Sequence, residues 1–167
     1  MVDIYGNPCN VKKFKNEINM PNIKYISDCA ESVGGSYDGK HSGFDSDAST
    51  FSFFANKVLT TGEGGMLCLN NEEDYRKAKI LRDHGMDPAN RYFHLYAGNN
   101  FRMTNIQAAI GLAQLERVNE IVESRKKIYA IYDSYFEKSK KISFQIIESS
   151  SLQSPWLYTI KINEDIK

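Results

Sequence analysis

Residues 51–65 read FSFFANKVLTTGEGG, and Lys57 is the residue in that run with the most distinctive chemistry. It follows a dense apolar and aromatic stretch and precedes a threonine-glycine-glutamate loop. A lysine held partly away from water loses some of its proton affinity and becomes a nucleophilic amine. Its position predicts a strand end beside a loop able to hold a phosphate. Ser52, five positions earlier, offers a hydroxyl to such a phosphate, as do Thr60 and Thr61. Gly62, Gly64 and Gly65 permit close backbone approach. Together these residues point to Schiff-base chemistry, for which pyridoxal 5'-phosphate is the commonest reason. Taken singly they have plainer readings: a lysine that closes a strand and pairs with an acid, and a glycine hairpin between two strands.

Asp28 is the second chemical candidate. It ends the alternating run IKYIS at 23–27, and α/β sheets place their ligands at the C-terminal ends of strands. A carboxylate there can keep a pyridine nitrogen protonated so that the ring acts as an electron sink. The plainer reading is a helix N-cap for 29–33. Glu31, one helical turn on, can reach the pyridoxal oxygen or a substrate group, or face water. A third group lies in LRDHGMDPANRYFHLYAGNNFR at 81–102, whose polar and aromatic richness suits a binding loop. His84 is a possible substrate contact there, and His94 reads as an ordinary loop histidine. Asn100 and Arg102 precede a long helix, near its anion-attracting end.

The elements that must position these residues follow from pattern. A short helix fits 11–20, ended by Pro21. Strands are predicted at 23–27, 48–54 and 66–69, with the glycine loop between the last two. Asn71 caps a helix to about His84, whose first-turn glutamates suit its positive end and which Gly85 stops. Thr104 caps a long helical stretch in which Ile106, Ala109, Ile110, Ala113, Leu115, Val118, Ile121 and Val122 recur at helical spacing. SSSLQS at 149–154 reads as a linker, and PWLYTIKI at 155–162 alternates as a strand. Strands interleaved with helices predict an α/β fold. The domain reading is 1–148, including the long helix, for a first domain, which the resemblance set out below implies is the second half of a cofactor-binding one. The remainder, 149–167, is a linker and the first strand of a smaller domain.

Bulk composition narrows the function classes. The 167 residues are 41% hydrophobic and 25% charged with zero net charge, so no electrostatic excess points to nucleic acid or to a membrane surface. Cys9, Cys29 and Cys68 have no metal-ligand spacing, and their odd number fits a reducing cytoplasm rather than a disulfide framework. MVDIYGNPCN lacks the basic-then-apolar pattern of a signal peptide, and no run approaches transmembrane length.

Four ordered motifs, DCAESVGGSY at 28–37, FSFFANKVLTTGEGGM at 51–66, LRDHGMD at 81–87 and NNFRMTNIQAAIGLAQLER at 99–117, resemble the DegT/DnrJ/EryC1/StrS sugar aminotransferases. The likeness runs from about residue 1 to 162. Glu31, the SFFANK form of the lysine motif and HGMDPANRY look most like the GDP-perosamine synthase branch. The resemblance implies part of an aspartate-aminotransferase-type (type I) large α/β domain with a mostly parallel sheet, a long helix and the start of a small C-terminal domain. It implies pyridoxal phosphate as cofactor, Lys57 as the Schiff-base lysine and proton shuttle, Asp28 at the ring nitrogen and Ser52 at the phosphate. Glu31 would lie beside the ring, and Asn100 would reach across a homodimer interface to the partner's phosphate. The implied reaction transfers an amino group from glutamate to a keto-sugar nucleotide of the GDP-4-keto-6-deoxymannose type, for cell-surface polysaccharide sugars. Family chains are much longer, so the sequence is expected to be an internal fragment; the alternative is a catalytically incompetent interaction module or pseudogene product. Relatives that dehydrate sugars carry histidine in place of the lysine, and Lys57 argues against that reaction.

Overall fold

The computed structural model describes residues 1–163. Along the chain run α1 (Val11–Ile18), β1 (Ile26–Asp28), β2 (Ser36–Tyr37), β3 (Lys40–His41), β4 (Ala48–Ser52), β5 (Gly65–Leu69), α2 (Glu72–Arg82), α3 (Asn105–Leu115), α4 (Val118–Phe136), β6 (Ile142–Phe144), β7 (Ser151–Leu152) and β8 (Ile160–Ile162). Three small sheets result, ordered β1-β4-β5, β3-β2-β7 and β6-β8. In the first, β1 and β4 are parallel while β4 and β5 are antiparallel. The fold is mixed α/β with a partly parallel sheet, a more even mixture than the mostly parallel one expected.

Local chemistry explains most element boundaries. The Asn71 side chain accepts the Asp74 N–H at 3.0 Å and starts α2. Gly85, at φ +68°, ends that segment, and a Cβ there would lie 1.9 Å from the Tyr96 carbonyl oxygen. Thr104 and Gln107 form a reciprocal capping box at the start of α3. The single long helix expected after Thr104 is instead two. Arg117 leaves helical geometry at φ −113°, and its guanidinium grips Glu120 in the first turn of α4 through two bonds of 3.0 and 2.8 Å. β1 is shorter than the run IKYIS, because Tyr25 turns its N–H toward the Asp47 side chain rather than a neighbouring strand.

The interior is small and unusually polar. Val11, Tyr25, Cys29, Phe53, Val58, Leu59 and Val122 are buried beside Asp3, Ser27, Ser32, Ser46 and Ser49. Buried polar groups are ordinarily paired, and those of Asp3, Ser27, Ser32 and Ser46 are, whereas the Tyr25 hydroxyl has no partner among the described residues. Asp3 accepts the Ser32 hydroxyl at 2.7 Å and the Cys9 N–H at 2.9 Å, and Ser27 and Ser46 share a bond of 2.5 Å. Parts of the surface are apolar: Ile106 is 75% exposed on α3 and Phe101 73% before it.

The serine-rich stretch 149–154 is ordered against the start of the chain. β7 pairs with β2, the buried Ser154 donates its N–H to Gly6 at 2.8 Å and its hydroxyl to Val33 at 2.5 Å. The strand predicted for 155–162 is reduced to β8, which pairs with β6. Pro155 has no N–H for a ladder, and Trp156 is drawn instead toward Asn56 and Lys57. Tyr158 packs on Tyr129 and Tyr132 of α4 and donates to Asp133 at 2.7 Å, which seats the β6-β8 ribbon on that helix. Among the described residues no helix is long and apolar enough to cross a membrane.

Asp47 anchors the entry to β1. It accepts the Tyr25 N–H at 2.9 Å and meets Lys24 at 3.3 Å and Lys15 at 3.8 Å. The Tyr25 N–H first, then the two lysines, hold its carboxyl below the ordinary value of 3.8. A carboxyl depressed in the folded state contributes stability above the unfolded-state value and loses it as pH falls through the folded-state value. The Tm gap between wild type and Asp47→Asn should therefore be full near neutral pH, shrink as pH falls below about 4 and vanish in stronger acid. Thermal unfolding across that range checks this; a gap independent of pH would contradict it.

Candidate functional site

The register of β1 against β4 decides which side chains meet. Asp28 stands opposite Thr50, and paired residues project from the same face. Ser52, two residues further along β4, shares that face, about 6–7 Å beyond Thr50. Gly65 of β5 stands opposite Ser52 and adds no side chain to the face. Ser27 and Ser49 project to the other face and are buried. One edge of the sheet thus presents Asp28 and Ser52 together, at the C-terminal ends of two parallel strands.

Both keep capacity for a ligand. Asp28 is exposed and its Oδ1 accepts the Ala30 N–H at 3.0 Å in an Asx turn, since residues 29–33 form turns and not the helix that the plainer reading would cap, while Oδ2 has no partner among the described residues. Ser52 Oγ accepts the Phe54 N–H at 3.2 Å, which leaves its own proton to donate. Cys29, directly after Asp28, is no rival nucleophile: burial first, then the Asp3 charge, push its thiol well up.

Lys57 follows on the turn that leaves β4, with its N–H on the Phe54 carbonyl at 3.0 Å. It is half-buried between exposed Asn56 and fully buried Val58 and Leu59. Thr60 and Thr61 hold this loop rather than a ligand. The Thr60 hydroxyl donates to Phe53 at 3.1 Å and accepts the Gly62 N–H at 2.9 Å, and the Thr61 hydroxyl donates to Glu63 at 2.7 Å. The phosphate role expected of these two hydroxyls is therefore not available in this structure.

Helix α3 clamps the same loop. Gln114 accepts the Thr60 N–H at 3.2 Å and donates to the Thr60 carbonyl at 2.7 Å, and Gln107 donates to the Glu63 carbonyl at 3.0 Å. From the other side the Trp156 ring covers the Lys57 ammonium, 3.6 Å from its centroid. Neither contact was read from the sequence. The glutamines lie within the NIQAAIGLAQLER motif, and Trp156 is the only tryptophan in the chain, so both carried a signal.

The other expected residues are engaged elsewhere. Glu31 accepts the Tyr5 N–H at 2.6 Å, supporting a residue held at φ +52°. Asn100 accepts Arg102 through its backbone N–H at 3.3 Å and its Nε at 3.2 Å, while Arg102 pairs with Asp83 at 3.2 Å. His94 Nδ1 lies 2.8 Å from the His84 carbonyl oxygen, on an exposed loop. The capping box occupies the positive end of α3 near Asn100. Among the described residues no cluster of His, Cys, Asp and Glu could hold a metal ion.

The donors on the sheet edge match a phosphorylated pyridine aldehyde in kind: a carboxylate for a ring nitrogen, a hydroxyl for a phosphate and a primary amine for an aldehyde. Gly65 opposite Ser52 is set by the strand pairing itself, since a Cβ there would come within 2.7 Å of the Phe51 carbonyl oxygen.

Comparison with known proteins agrees with this chemistry. The model of the DegT/DnrJ/EryC1/StrS aminotransferase family matches residues 1–167. The GDP-perosamine synthase of Caulobacter vibrioides is 40% identical over 166 residues, 99% of this chain and 45% of that protein. Among solved structures, Helicobacter pylori PseC, an aminotransferase involved in pseudoaminic acid biosynthesis, superposes with a TM-score of 0.87 at 29% identity, covering 96% of this chain and 44% of its own. The PLP form of the Streptococcus pneumoniae protein Spr1654, described as a sugar aminotransferase, gives 0.84 at 30% identity over 96% and 46%. The chain therefore spans a little under half the length of these relatives.

The Gln114 clamp can be tested alone. Gln114→Ala strips both bonds from a half-buried backbone amide, at a cost of about 1–2 kcal/mol in unfolding free energy. Denaturant unfolding should show that loss, and hydrogen exchange should quicken first at Thr60. Unchanged exchange at Thr60 would mean that the loop holds itself.

Proposed function

The chain belongs to the DegT/DnrJ/EryC1/StrS aminotransferase family, and from that membership we propose that it carries the reacting lysine of a pyridoxal-phosphate-dependent sugar-nucleotide aminotransferase. The observation that carries this reading is the shared face of Asp28 and Ser52, with Lys57 on the turn that leaves the same edge. When bound, the cofactor supplies an aldehyde that condenses with primary amines and a ring that takes up the electrons of a broken C–H bond.

The chain's own residues do the rest. Lys57 would supply the primary amine that meets the cofactor's aldehyde and would carry a proton to and from the substrate carbon. Asp28, through its free Oδ2, holds a proton on a ring nitrogen set against it. Ser52 donates its hydroxyl to a phosphate oxygen. Glu31 would sit beside the ring near its hydroxyl, in a segment that its bond to the Tyr5 N–H holds in place. Asn100 serves the phosphate site of a second subunit in a homodimer with shared active sites.

The likeness to GDP-perosamine synthases supports glutamate as amino donor and a GDP-4-keto-6-deoxymannose-type acceptor, in the making of polysaccharide sugars. Three free cysteines suit a cytoplasmic setting for that chemistry. A second reading, in which the chain acts by assembly rather than turnover, draws on its apolar surface: Ile106, Leu112 and Leu115 on α3 and Met66 and Leu67 on β5 are all exposed. Patches of this kind mark interfaces between proteins.

Borohydride reduction in the presence of pyridoxal phosphate, followed by peptide mapping, separates the readings. Label on Lys57 is the expected result, and it should fall at least tenfold in Ser52→Ala if the hydroxyl holds the phosphate, a loss of about 1.4 kcal/mol. Label spread over surface lysines, or none, would overturn the assignment of Lys57.

A further inference from the structure

The ammonium of Lys57 has one close neighbour. Its Nζ lies 3.6 Å from the centroid of the Trp156 ring, well inside the roughly 6 Å over which a cation is drawn to an aromatic face. The other five cation–ring pairs among the described residues are looser, between 4.9 and 5.6 Å. Among the described residues Lys57 has no carboxylate partner and no side-chain hydrogen bond, so the indole is the group that answers its charge.

The ring is fixed through its own N–H, and the backbone that carries it is held at two further points. Its Nε1 donates to the Asn56 carbonyl at 3.1 Å, on the residue before the lysine. The Trp156 backbone carbonyl accepts Arg125 Nη1 from α4 at 3.2 Å. Behind it, Ser154 and Pro155 are buried, and Ser154 is bonded to Gly6 and Val33. A side chain held in this way does not drift over the lysine by chance. The chain brings residue 156 back across about a hundred positions to stack on residue 57.

We propose that Trp156 is a positioning residue for Lys57: the indole face holds the ε-ammonium in one place at the sheet edge and shields it from reagents in solution. The reading of Lys57 as the reacting amine gives this its purpose, and the contact itself stands without that reading. A ring face attracts a cation but forms no bond that must be broken, so it can fix the lysine at rest and release it when the nitrogen turns to a carbonyl. Cation–π attraction of ordinary strength corresponds to about a three- to tenfold effect on the availability of the amine.

The test uses the full chain and N-hydroxysuccinimidyl acetate, which acetylates free amines. Lys57 acetylation is read by peptide mass spectrometry against the exposed Lys12. In Trp156→Leu, Lys57 should react about three- to tenfold faster relative to Lys12. Trp156→Phe keeps a ring face without the indole N–H and should fall between wild type and Trp156→Leu. Equal rates in all three proteins, or equal acceleration by both variants, would overturn the proposal.

A second measurement leaves Trp156 in place and guards against a leucine variant that fails to fold. Because Trp156 is the only tryptophan, intrinsic emission reports this ring alone. Lys57→Met should shift the emission maximum, and Lys57→Arg, which keeps a cation, should shift it less. Identical spectra for wild type and Lys57→Met would count against the contact. Neither measurement needs pyridoxal phosphate, so failure of cofactor labelling at Lys57 would strike the proposed function and leave this inference standing.

Discussion

The parallel pairing of β1 with β4 is the constraint on which the site depends. With Ile26 opposite Ala48 and Asp28 opposite Thr50, one face of the sheet receives Asp28 and Ser52 while the other buries Ser27 and Ser49. A slip of one residue would turn the carboxylate inward and the serines outward. The buried serine contacts oppose that slip, since Ser27 meets Ser46 and the Cys29 N–H reaches the Thr50 carbonyl at 2.8 Å. The register is also held from outside, where Met1 and Asp3 bond to the free edge of β1 and the isolated pair Val2–Asp28 extends the sheet. The site is therefore a consequence of strand order and register, with the loops adding the amine.

Around that edge the chain builds a second layer from distant segments. α3 contributes two glutamines that satisfy backbone groups of the 60–63 loop, and the C-terminal segment contributes the indole over Lys57. Each contact joins residues at least 44 positions apart, so the loop that carries the lysine is set by tertiary structure more than by its own glycines. Helix α4 takes part indirectly: Arg125 fixes the Trp156 backbone and Tyr129 and Tyr132 seat Tyr158 two residues on.

Much of this could be read from the sequence because local chemistry and fold agree. The apolar run at 48–54, the short run at 66–69 and the glycines between them became β4, β5 and their loop. Asn71 and Thr104 cap the helices that they precede. The misreadings have physical causes. Thr60 and Thr61 looked like phosphate ligands because a hydroxyl in a glycine loop gives no sign of an internal partner. The break at Arg117 has no proline or glycine to announce it. PWLYTIKI alternates like a strand, yet the docking of Trp156 decides its first half. Buried serines and bonding glutamines escape sequence reading because both residue types ordinarily face water.

The account rests on Lys57 being the amine that meets an aldehyde at this edge. Absorbance titration of the full chain with pyridoxal phosphate, wild type beside Lys57→Ala, tests it most directly. The account predicts a new absorption band at the edge of the visible in wild type that saturates at one cofactor per chain and is lost in Lys57→Ala. The same band at the same occupancy in both proteins would contradict it.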